Sequence, residues 1–89
     1  GEVIYWNYGS APIPRAQKMA EIMATSSGYA LDVPVGLALG GGFKDWFIKE
    51  YSRPGFTVEI GKGENPLPVG DAVKIYKQIE EMLILYCIM

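Results

Sequence analysis

The fold is decided by the stretch Pro-Gly-Phe-Thr-Val-Glu-Ile-Gly at positions 54–61. A proline-glycine turn precedes five residues of high strand propensity, so the stretch predicts a β-strand. Phe56, Val58 and Ile60 recur at period two and fall on one face. Glu59 falls on the other face, near the end of the strand. A carboxylate at the carboxyl end of a strand in an α/β sheet is a candidate for a binding site, and a solvent-facing acid is the alternative.

Two strand patterns and two helix patterns lie ahead of this central strand. The first helix begins with a proline and ends with a glycine that suits a left-handed cap. Pro34 interrupts the second strand pattern, so that strand is expected at a sheet edge. The predicted elements are a strand over 2–8, a helix from 14 or 15 to 26–28 with Ala16, Met19, Ala20 and Met23 at helical spacing, a strand within 29–35 and a helix over 43–51.

A long helix is predicted from Gly70 or Asp71 to the end of the chain, with Asp71 as a cap or first-turn acid. Its buried stripe is assigned to Val73, Tyr76, Ile79 and Leu83. The element order is therefore β-α-(β)-α-β-α, which indicates an α/β fold. We expect part of a doubly covered sheet, mostly parallel or mixed, that belongs to a larger domain.

The composition limits the classes of function. Hydrophobic residues make up 49% of the 89 residues, which favours a segment of a larger fold, or else a chain that self-associates. The net charge of −2, without a basic stripe, gives no support to nucleic-acid binding. No apolar run is long enough to span a bilayer. The absence of histidine excludes Ser-His or Cys-His catalysis and a His-based zinc site within this chain, and Cys87 is expected to be a small buried side chain.

Three stretches together resemble a known family: Tyr-Trp-Asn-Tyr-Gly at 5–9, Gly-Gly-Phe-Lys-Asp-Trp-Phe-Ile at 41–48 and Pro-Gly-Phe-Thr-Val-Glu-Ile-Gly-Lys-Gly-Glu-Asn-Pro-Leu-Pro at 54–68. They resemble the C-terminal part of zinc carboxypeptidase-type peptidases, and within that group the bacterial γ-D-glutamyl-L-diamino acid endopeptidases, which cut peptidoglycan stem peptides. The resemblance implies one catalytic zinc, held by a His-x-x-Glu pair and a later histidine. All three ligands are expected ahead of Gly1, so the 89-residue chain by itself is expected to be inactive.

The resemblance assigns roles to three residues of this chain. Glu59 matches the general base, which takes a proton from a zinc-activated water and passes it to the leaving amine. Lys44 matches a position in the pocket for the residue after the cut bond, where a cation would pair with a substrate carboxylate. An exposed helix lysine is the alternative for Lys44. Gly9 matches the wall of the same pocket, where a missing side chain leaves room.

The residues between the second strand pattern and the second helix bear on the mode of substrate binding. The stretch 35–40 lacks the mobile tyrosine of the digestive carboxypeptidases, so capture of a terminal carboxylate is not expected. The glycine-rich stretch 36–42 matches no phosphate-binding fingerprint and is interpreted as a close-packed turn.

A non-catalytic α/β module that binds a partner through its apolar surface is one alternative function. An inactive peptidase relative that binds cell-wall peptides is the other.

Overall fold

The computed structural model describes residues 1–9, 13–33 and 40–89, and within them three strands and three α-helices follow the predicted order. The α/β class is confirmed. The bounds are β1 Val3–Tyr5, α1 Ala16–Ser27, β2 Ala30–Asp32, α2 Phe43–Tyr51, β3 Thr57–Glu59 and α3 Ala72–Ile88, with a 3-10 turn at Val69–Asp71 before α3. Part of the loop after Gly9, the end of the second strand pattern at 34–35 and the stretch 36–39 of the glycine-rich turn lie outside the described residues.

The sheet of the described residues is mixed, in the order β2-β1-β3. β1 pairs with β2 in parallel, with Val3 opposite Ala30. β1 pairs with β3 antiparallel, with Val3 opposite Glu59. The edge position predicted for β2 is confirmed, but the prediction that β3 is the central strand is wrong, because β1 holds that place.

The position of α2 explains why β3 runs antiparallel to β1. The Nζ atom of Lys44, near the start of α2, donates a hydrogen bond of 2.6 Å to the backbone oxygen of Asn7, just beyond the carboxyl end of β1. The chain therefore enters β3 from that same end, with Thr57 opposite Tyr5. A helix that had carried the chain back across the sheet would have given a parallel strand instead.

The core lies where α1 and α3 pack together against the sheet, and its buried cluster is Ile4, Met23, Tyr29 and Met82. The prediction for α1 is confirmed, since Ala16, Met19, Ala20 and Met23 are all buried. Gly28 ends α1 at φ 78°, and its N–H donates to the oxygen of Ala24 at 2.8 Å. A layer of helix on the other face of the sheet remains a prediction for the larger domain.

The stripe predicted for α3 is wrong at three of its four positions. Ile79 packs against the core, but the fully buried residue of the helix is Met82. Cys87 is exposed, so the prediction of a buried thiol is also wrong. The cause is that α3 is apolar around most of its circumference, so periodicity alone does not select the inner face. Its exposed apolar residues are Val73, Tyr76, Leu83, Ile84, Tyr86 and Ile88.

Among the described helices, none has the length and apolarity to cross a membrane.

Candidate active site

Glu59 is the last residue of β3, and its side chain is exposed. Its backbone oxygen accepts a hydrogen bond of 2.7 Å from the N–H of Glu2, which ties the end of β3 to the start of β1. Phe56 and Val58 pack against the core as the period-two pattern predicts. Ile60 is 46% exposed, so only two of the three residues predicted on that face reach the core.

Glu59 is one of the residues that line a polar cleft of about 340 Å³. Gly1 and Ile60 form one wall of this cleft, and Gly63 and Asn65 belong to the loop that follows β3. The backbone of β3 is hydrogen-bonded to β1, and its core-facing side chains are packed. An accessible carboxylate on a strand held in this way can exchange protons with a bound water or substrate.

Lys44 is buried rather than exposed, so the alternative of a solvated helix lysine is wrong. Its ammonium donates to the backbone oxygen of Asn7 and to Oδ1 of Asp45. The other carboxylate oxygen of Asp45 accepts a 2.6 Å hydrogen bond from the N–H of Gly40. This ion pair therefore joins the start of α2 to the chain beyond β1, and Asp45 has the structural role that its position indicates.

Gly9 lies at the rim of a cavity of about 570 Å³. Its φ of 63° is in the left-handed region, and a Cβ added there would meet no atom within 4 Å. Asn7 also lines the cavity, and its Oδ1 is buried with no hydrogen-bond partner among the described residues. Open space therefore lies beside Gly9, and its role in the wall of a substrate pocket stays a prediction.

The three predicted residues fall at two ends of β1. Glu59 lies opposite Val3, at the start of the strand, whereas Lys44 contacts Asn7 beyond its end. Asn7 is four residue steps beyond Val3, which corresponds to about 13 Å in an extended chain. The structure brings Lys44 and Gly9 to the same end of β1 and leaves Glu59 at the other.

The described residues do not form a cluster of metal ligands. Among residues 1–9, 13–33 and 40–89, no three histidine, cysteine, aspartate or glutamate side chains come together as metal ligands. The sequence has no histidine and one cysteine. If a zinc ion takes part in the reaction, its ligands come from outside the described residues.

Comparison with known proteins identifies two relatives. The γ-D-glutamyl-L-diamino acid endopeptidase 1 of Lysinibacillus sphaericus is 44% identical over 79 residues, which is 88% of this chain and 19% of the relative. The chain is homologous to the C-terminal part of that endopeptidase. The uncharacterized protein YqgT of Bacillus subtilis (strain 168) is 39% identical over 84 residues, or 93% of the chain and 22% of the relative.

The homology to the endopeptidase covers nearly all of the chain but little of the relative. The chain spans about a fifth of the length of each of the two relatives that it matches. No family model matches the sequence. No solved structure matches it either.

Sequence reasoning missed two residues that join distant parts of the chain. Glu2 has a φ of 62°, which is unusual for a residue with a side chain, and its N–H and carbonyl bond to β3 and β2 respectively. The hydroxyl of Tyr29 reaches Gln78 of α3 across 3.4 Å. Neither has a local sequence signal, because both contacts join residues that are far apart in the chain.

Proposed function

We propose that this chain is the C-terminal portion of a zinc metallopeptidase that hydrolyses γ-D-glutamyl-diamino acid bonds in peptidoglycan stem peptides. The observation that carries the proposal is the 44% identity to a γ-D-glutamyl-L-diamino acid endopeptidase along 88% of the chain. The matched region comprises 79 of the 89 residues, so most of the chain belongs to the homologous region.

In this proposal Glu59 is the general base. Its carboxylate takes a proton from the attacking water and then gives that proton to the leaving amine, so one group serves both steps. Two observations support the assignment: the side chain is accessible, and the strand end that carries it is bonded to Glu2. The zinc ion, whose ligands we place ahead of Gly1, would supply an acidified water when bound.

Lys44 is proposed to bind a carboxylate of the substrate. An ammonium has three N–H donors, and Asn7 and Asp45 accept two of them. A substrate carboxylate would take the third. Because Asp45 already balances the charge of Lys44, the contribution to binding rests on a hydrogen bond more than on a free positive charge. Gly9 would leave room for the substrate at the same end of β1.

The test is Glu59→Gln in the full-length protein that contains this chain, assayed on a γ-D-glutamyl-diaminopimelate peptide. We expect kcat to fall by about 10²–10⁴, because a positioned general base contributes about that much. Zinc content, measured by atomic emission, should not change, because Glu59 is not proposed as a ligand. Glu50→Gln, at an exposed position of α2, is the matched control and should keep full activity.

The outcomes separate the proposal from its alternatives. Hydrolysis that survives Glu59→Gln would show that Glu59 is not the base. Binding of the peptide without hydrolysis by the unmodified protein would identify an inactive relative. An unmodified protein that neither binds nor cuts the peptide would favour the non-catalytic module.

A further inference from the structure

An apolar groove of about 480 Å³ lies between the end of β3 and the first half of α3. Ile60 and Leu67 line the side nearest β3, and Ile75, Tyr76 and Ile79 line the helix side. The three helix residues recur at spacings of one, three and four, so they belong to one face of α3. Every described residue that lines the groove is apolar or aromatic, so the groove suits apolar side chains rather than a charged ligand.

The groove is continuous with the core of this chain. Ile79 lies at one end of it and packs against the buried cluster that contains Met82. Toward the start of α3 the cover is lost, since Tyr76 is 57% exposed and Val69, in the turn before α3, is 91% exposed. Ile60, on the opposite side, is exposed as well. Exposed apolar side chains that extend a core in this way mark a surface that another segment covers.

The segment that precedes Gly1 meets the groove at the end of β3. A Cβ on Gly1 would lie 2.8 Å from the backbone oxygen of Ile60 and 3.0 Å from that of Glu59, so the Gly1 backbone lies against this strand end. Ile60 lines both the polar cleft beside Gly1 and the apolar groove. The chain matches the C-terminal part of its endopeptidase relative, 19% of the length of that relative. A preceding segment of the full-length protein would therefore begin within reach of the groove.

We propose that the segment immediately before Gly1 fills this groove in the full-length protein. The helix side of the groove, from Ala72 to Ile79, is about 10 Å long at 1.5 Å per residue, which about three residues of extended chain can cover. Alternate residues of an extended segment face the same side, so apolar residues at alternate positions before Gly1 would pack on Ile75, Tyr76 and Ile79. The inference rests on the proposed function in one respect, that this chain is the C-terminal portion of a larger protein.

A second copy of the chain is the competing occupant. A segment joined to Gly1 has a high effective concentration beside the groove, whereas a second copy loses translational and rotational freedom when it binds. The continuity of the groove with the core also favours a segment of the same molecule, because such a segment would complete a single core.

The test is Tyr76→p-benzoylphenylalanine in the full-length protein, with the photo-cross-links mapped by mass spectrometry. We expect a cross-link within one molecule, to one of the roughly six residues before Gly1, the reach set by the length of the groove. The same probe at Lys77, an exposed neighbour outside the groove, is the matched control and should give no cross-link to that segment. A cross-link between two molecules would identify a second copy and overturn the inference. A cross-link to another part of the chain, or none, would overturn it too.

A stability measurement on the full-length protein gives an independent result. If the groove is filled, Ile60 is buried there, and Ile60→Ser should lower the melting temperature by about 4 °C or more. Ile84→Ser makes the same change on α3 outside the groove, at a position 57% exposed, and should lower it less. Equal decreases would contradict the inference. Neither measurement depends on catalysis, so activity that survives Glu59→Gln would refute the proposed base and leave the filled groove in place.

Discussion

Gly61 occupies a backbone conformation and a space that only glycine fits. At φ 74° a Cβ is strained, and Leu67 and Ile75 already fill its place. We expect Gly61→Ala to lower the free energy of unfolding by about 2–5 kcal/mol, from left-handed strain together with overpacking. Gly28→Ala is the control, because φ is 78° there but no atom lies within 4 Å, and it should cost only about 1–2 kcal/mol. Equal losses in urea unfolding would contradict the packing argument.

Tyr29 makes the free energy of unfolding depend on pH in the alkaline range. Burial and then Glu2 raise its pKa, so the folded state holds the phenolic proton more tightly than the unfolded state does. The stabilisation is therefore complete below about pH 10, where the unfolded phenol titrates, and is lost as pH rises through the raised folded pKa. Urea unfolding followed upward from about pH 9, one unit below the pKa of the unfolded phenol, should show this fall. Tyr29→Phe should flatten it, whereas a slope unaltered by the substitution would be evidence against the assignment.

Single residues were predictable from the sequence where the signal is local. The cap at Gly28 and the buried positions of α1 follow from spacing within a few residues. The burial of Lys44 does not, because its partner Asn7 lies 37 positions away. Glu59 is a candidate site residue because of its place at a strand end together with a family resemblance. Its exposure depends on which strand occupies the edge of the sheet.

At the scale of elements, α3 offers a direct test of which face is buried. Met82 is fully buried against Ile4 and Met23, so we expect Met82→Ala to cost about 2–5 kcal/mol through the cavity that it leaves. Leu83→Ala removes a similar side chain from the neighbouring, 44% exposed position and should cost less than about 1 kcal/mol. If Leu83→Ala lowered the free energy of unfolding more than Met82→Ala did, in thermal or urea unfolding, the buried stripe predicted from the sequence would be correct.

The elements themselves were largely predictable, but their pairing was not. Helix and strand periodicities place all six elements within a few residues of their observed positions. The direction of β3 depends on where α2 lies, and that is set by the contact of Lys44 with Asn7, which no periodicity contains. The inner face of α3 was unpredictable for a related reason, since its apolar residues surround the helix and only the position of α1 selects one side.

At the scale of the molecule, exposed aromatic residues on α2 predict association of the isolated chain. Phe43 is 76% exposed and Trp46 is 49% exposed, and their ring centroids lie 5.4 Å apart. Such a patch on a small chain favours contact with a second copy or with the rest of a larger protein. We expect light scattering to find oligomers of the 89-residue chain and Trp46→Gln to reduce them. Lys49→Gln on the same helix is the control, and a strictly monomeric chain would indicate a complete small domain.

The central place of β1 also has a consequence for the order of folding. Within this chain β1 precedes both of its partner strands, and its antiparallel pairing with β3 joins Val3 to Glu59, more than fifty positions apart. Closing so long a loop is entropically costly, and non-local pairing of this kind slows folding. During synthesis the sheet therefore stays incomplete until β3 has left the ribosome, and until then β1 exposes an unpaired edge that a chaperone or a neighbouring chain can bind.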